Sequence, residues 1–148
     1  MLSGTLKLAR MYLLLLAVFT VARWLQGTFE VPYEKGHHVF SIVTLTLMSC
    51  FYYGAFCRRW RGERLLRAVG FAFTLGLLSQ VVIFLATVLS YALDLHTYFN
   101  HPTALNVTES IEFSRAVGVR LGGLLANSIF AGITGALGWA MGALLPEK

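Results

Sequence analysis

Charge is what this sequence has least of for its length. Asp, Glu, Lys and Arg make up 13% of 148 residues, where a soluble domain needs about a quarter to cover its surface. With 57% of the residues hydrophobic and a mean hydropathy of +0.68, the shortage excludes a domain that lives in water. Chemical motifs are also missing. The chain has no Gly-rich phosphate loop, no HExxH and no GxSxG, and no loop large enough to hold a nucleotide. A non-catalytic protein is expected, with no cofactor. Cysteine is limited to Cys50 and Cys57, which form no CxxC pair and have no histidine at ligand spacing. Seven helical residues set them roughly 10 Å apart along an axis, too far for a mutual disulfide. They read as core filling.

What the chain does have is long apolar runs. Four of them, at about 8–25, 38–57, 68–95 and 107–145, are each compatible with the roughly 20 helical residues that cross a hydrocarbon layer of about 30 Å. Lipid offers no water to free backbone groups, so each run must be a helix. The expected fold is all-α, an integral membrane four-helix up-and-down bundle forming one transmembrane domain over 1–148, because every connection is short. Asn106-Val107-Thr108-Glu109 has the form of a capping box. It predicts that the fourth helix starts near Val107 and stands partly outside the bilayer.

The formal charge of +5 does not signal nucleic acid, since the basic residues sit at the ends of apolar runs, where lipid headgroups account for them. Arg58, Arg59, Arg61, Arg64 and Arg67 crowd the connection between the second and third runs. By the positive-inside rule that loop is cytoplasmic, and an even number of crossings then puts both termini on the same side, in a plasma or inner membrane.

Three groups of polar residues and one of glycines remain. Ser49, Gln80, Asn127 and Ser128 fall near mid-membrane and are expected to hydrogen-bond between helices, or to line a transport path in a small transporter or channel component. Arg23, Asp94 and Arg120 lie toward the outer ends of helices, where a charge either snorkels or pairs. The expected pair is Asp94 with Arg120, with Arg23 as competitor for the acid. His37, His38, His96 and His101 share the outer surface and are weak metal or haem ligands, as no Cys or carboxylate at ligand spacing completes a set. Gly118, Gly122, Gly135, Gly138 and Gly142 let helices approach closely. Because these glycines occupy more than one face, the expected role is a helical subunit or scaffold, packing with other membrane proteins or with copies of itself.

Overall fold

The computed structural model describes residues 2–146, with side chains from residue 7 onward. The described chain is all-helical, without strands: α1 (Leu2–Thr28), a single turn α2 (Tyr33–Gly36), α3 (Ile42–Arg59), α4 (Leu65–Ala92), a 3-10 turn at Pro102–Leu105, and α5 (Phe113–Met141), which ends in a 3-10 turn at Gly142–Leu144. The four long helices run alternately up and down. One end of the molecule, called distal below, carries 29–41 and 93–112; the proximal end carries 60–64.

Three helices are long and apolar enough to cross a membrane: Lys7–Thr28, Leu65–Ala92 and Phe113–Leu144. The 18 residues of α3 are long enough, but they include Arg58 and Arg59, and the two arginines lower the mean hydropathy of the helix enough to keep it out of that set.

Helix ends depart from the sequence expectation for local reasons. The second helix begins at Ile42 because Ser41, extended, caps it by accepting from the Thr44 backbone N–H at 3.4 Å; His37 and His38 therefore precede the helix instead of opening it. The third ends at Ala92, where Leu95 N–H returns to Ser90 O at 2.9 Å and Asp94 adopts φ +50°, the Schellman arrangement. The fourth does not begin near Val107. Asn106 is left-handed and terminates the preceding 3-10 turn, Glu112 is the N-cap without a side-chain bond, and the helix of 29 residues is about 44 Å long.

The tightest packing joins α3 to α5 in the proximal half. A Cβ on Gly54 would fall on Gly135 O, one on Gly138 would fall on Phe51 O, and one on Gly142 would come within 2.7 Å of Ala55 O. The missing side chains are what let the two backbones touch. Gly76 of α4 makes room for the Ala131 methyl, which a Cβ there would meet at 2.5 Å. Gly118 and Gly122 do the opposite: nothing lies within 4 Å of a Cβ at either, so they play no part in packing within the chain.

Candidate functional site

The distal end is closed by a folded loop rather than by loose chain. Thr97, Tyr98, Phe99 and Leu105 are all buried. Gly27 of α1 abuts the Thr97–Tyr98 backbone so closely that a Cβ could not fit. The Tyr98 hydroxyl donates to Val31 O at 2.8 Å, and burial pushes its pKa up, which keeps the phenol protonated for that bond. Trp24 Nε1 donates to Ser90 Oγ at 3.2 Å, and Ser90 shares a 2.8 Å hydrogen bond with Thr97.

Arg120 holds this loop from below. Its guanidinium donates to Phe99 O at 2.6 Å, Ala104 O at 3.3 Å and Thr87 Oγ1 at 3.0 Å. The expected pair with Asp94 is not formed. Asp94 is exposed at the end of α4, and among the described residues the ion pairs are Glu63 with Arg61 and with Arg67. The Schellman turn carries Asp94 out of the helix, and loop carbonyls already supply acceptors at the depth of Arg120. Arg23 is also held by neutral oxygens, donating to His37 O at 3.1 Å and Tyr33 Oη at 3.4 Å. It lies 5.5 Å from the centroid of Tyr98 and 5.9 Å from that of Tyr33, within cation–π range.

Arg23 and Arg120 line one cavity of about 210 Å³, whose wall also includes Tyr33, Ser41, Thr103 and Asn106. Its floor is apolar, made by Ile42, Val43 and Ile83. A cleft of about 250 Å³ shares Val43 with it and reaches Gln80 and Asn127. There the Asn127 amide donates to Gln80 Oε1 at 3.2 Å. Two of the four residues expected to form a polar layer thus meet. Ser128 instead turns back to Leu124 O at 2.6 Å, and Ser49 lines a separate cleft with Met11 and Tyr52. A polar contact that the sequence reading missed is Tyr12, whose hydroxyl lies 3.0 Å from Thr46 Oγ1 and donates to Leu75 O at 3.2 Å. A lone tyrosine in an apolar run gives little signal of where its hydroxyl ends.

All four histidines lie at the distal end, and three of them cluster. His37 and His101 each stack on Tyr33, with ring centroids 5.1 Å and 4.3 Å away, and His38 is 3.7 Å from His37. His96 is exposed. Among the described residues no group of three or more His, Cys, Asp or Glu side chains is arranged to hold a metal ion.

At the proximal end the arginines are mostly tied to protein. Arg59 Nε donates to Pro146 O at 3.1 Å, Arg67 donates to Glu63 at 2.9 Å, and Arg61 lies 3.7 Å from the same acid. Arg58 turns inward against Trp139, and Arg64 stands extended as the N-cap of α4. Comparison with protein-family models, with curated proteins and with solved structures finds no match.

Proposed function

We propose that all four long helices cross the bilayer, with both termini cytoplasmic, and that the chain is a non-catalytic subunit or scaffold of a plasma or inner membrane. It would pack against other membrane proteins or copies of itself, with no role for nucleic acid. What supports the crossing of α3 is its company: Cys50 Sγ reaches Ala72 O of α4 at 3.4 Å and Gly54 meets α5, so α3 shares the depth of its neighbours. A helix covered on several sides needs fewer apolar residues to remain in lipid. The arginine-rich proximal loop supports its cytoplasmic placement.

The observation that carries the subunit reading is the open face of α5. Gly118, Gly122 and Ala126 are exposed on a helix that also turns Leu121, Leu125 and Ile129 outward, and small residues at this spacing let a second helix approach closely. Cross-linking in the native membrane, followed by sizing in several mild detergents, tests the reading. A cross-linked species through α5, or a co-purifying membrane protein, is expected; a chain that stays monomeric and alone under every condition refutes it.

The Gln80–Asn127 contact beside a cleft favours a second reading, a small transporter or channel component. Gln80→Leu would then abolish flux in reconstituted vesicles while leaving the helical content unchanged. Equal flux in the two proteins rejects it.

A further inference from the structure

The distal cavity brings two arginines together, and among the described residues neither has a carboxylate partner. Arg23 comes from α1 and Arg120 from α5, yet both line the same space of about 210 Å³. Every oxygen that receives a hydrogen bond from either guanidinium is neutral: the carbonyls of His37, Phe99 and Ala104 and the hydroxyls of Tyr33 and Thr87. Among the described residues no carboxylate forms an ion pair with either arginine. Carbonyl and hydroxyl dipoles solvate a guanidinium but do not cancel its charge, and two like charges drawn partly out of water repel each other. Each guanidinium has five N–H donors, and the neutral oxygens take only some of them. The remaining wall adds groups that can donate or adapt: the hydroxyls of Tyr33, Ser41 and Thr103 and the amide of Asn106.

We infer that this cavity is a binding site for a phosphate group, held between Arg23 and Arg120. The planar, forked donors of arginine match phosphate oxygens in pairs, and a phosphomonoester carries close to the two negative charges that the arginines leave unbalanced. The volume is below the range of about 300–1,000 Å³ typical of drug-sized ligand sites, which suits a single phosphate group. That phosphate has two sources, a soluble phosphate ester or a phospholipid headgroup. The apolar residues Ile42, Val43 and Ile83 in the cavity wall are the part of the lining that a lipid-borne headgroup would use and a soluble ester would not need.

The test uses the purified full chain in detergent, with two probes. Inorganic phosphate is titrated against chloride at constant ionic strength while thermal unfolding is followed by tryptophan fluorescence. Retention of phosphatidic acid is compared by native mass spectrometry with retention of a diacylglycerol bearing the same chains. A saturable rise in melting temperature with inorganic phosphate identifies a soluble source, and selective retention of phosphatidic acid identifies the headgroup. In either case the apparent affinity falls at least tenfold in Arg23→Gln and in Asn106→Asp. The second variant adds a competing carboxylate at an exposed position that is already left-handed, a conformation aspartate tolerates, so it remains informative if Arg23→Gln fails to fold. No response of the unmodified chain to either probe overturns the site, as does an undiminished response in a folded variant.

Discussion

The Arg58 guanidinium lies 4.2 Å from the centroid of the Trp139 ring and donates to the carbonyls of Trp139 and Ala140 at 3.4 and 3.3 Å. It thereby closes the end of α3 onto the end of α5. Trp139 is fixed from its other edge, where Nε1 donates to Glu63 O at 2.9 Å. A cation–π contact contributes about 0.5–1 kcal/mol at exposed sites, and hydrogen bonds from a charged group about 1.5–3 kcal/mol. Arg58→Ala should therefore cost about 2 kcal/mol in reversible unfolding, and Arg58→Lys, which keeps the charge but loses the planar fork, should recover only part. If Arg58→Ala were as stable as the unmodified chain, the contact would contribute nothing.

The sequence makes helix number and order legible, because apolar runs of membrane length separated by short polar connections leave few alternatives. Its errors fall where local backbone chemistry decides. Asn106 reads as an N-cap, but in a left-handed conformation the same residue ends a 3-10 turn. Asp94 and Arg120 match in depth along their helices, but depth ignores both the turn that removes Asp94 and the carbonyls of a loop folded back over Arg120. Glycine spacing was informative on the face holding Gly135, Gly138 and Gly142. It could not tell those residues from Gly118 and Gly122, since a stripe of small residues looks the same whether or not a helix covers it. The pairing of Arg23 with Arg120 around one cavity was invisible, because it depends on how α1 and α5 are placed about the distal loop.

Orientation is testable without removing the native cysteines, since Cys50 and Cys57 are both buried. A cysteine at exposed Thr103 should react with a membrane-impermeant maleimide applied to intact cells. One at exposed Arg64 should react only after lysis. The opposite pattern would place the distal cavity on the cytoplasmic side.

Gln80 and Asn127 give a prediction about energy independent of any transport. Hydrogen bonds between membrane helices average about 0.6 kcal/mol and reach about 1.7. Gln80→Leu should destabilise the bundle within that range, and the double change Gln80→Leu with Asn127→Leu should cost less than the sum of the single changes. Strict additivity in a double-mutant cycle would mean that the 3.2 Å contact carries no coupling.

Two glycines of the same helix should respond in opposite ways. At Gly138 a methyl group falls on the Phe51 carbonyl oxygen, a backbone atom that cannot rotate away, so Gly138→Ala should cost about 3 kcal/mol or more. At Gly118 a methyl group meets nothing within 4 Å, and alanine exceeds glycine in helix propensity by about 0.8–1.0 kcal/mol. Gly118→Ala should leave the folded chain as stable or more so. If α5 packs on another helix in the membrane, the bulkier Gly122→Leu should reduce cross-linking without lowering the melting temperature. Loss of folding in Gly118→Ala would show that this face is already occupied within the chain.

Asp94 and Arg120 should behave as strangers. Asp94 sits just beyond α4 with φ +50°, a conformation that aspartate tolerates but glycine and asparagine prefer. Its carboxylate also stands at a helix C-terminus, where the partial negative charge of the last carbonyls opposes it by about 0.3–1 kcal/mol. Asp94→Asn removes that repulsion, so it should be neutral or stabilise by a few tenths of a kcal/mol. Arg120→Gln has the opposite sign, because it strips charged donors from Phe99 O, Ala104 O and Thr87 Oγ1 together. Leaving buried acceptors unpaired costs about 1–3 kcal/mol, and the first consequence should be faster hydrogen exchange in 97–105. Residues without shared partners combine within about 0.3–0.5 kcal/mol of additivity, and the double variant should fall inside that margin. A measured coupling of 1 kcal/mol or more would restore the ion pair that depth alone suggested. It would require the α4–α5 connection to rearrange so that the carboxylate reaches the guanidinium.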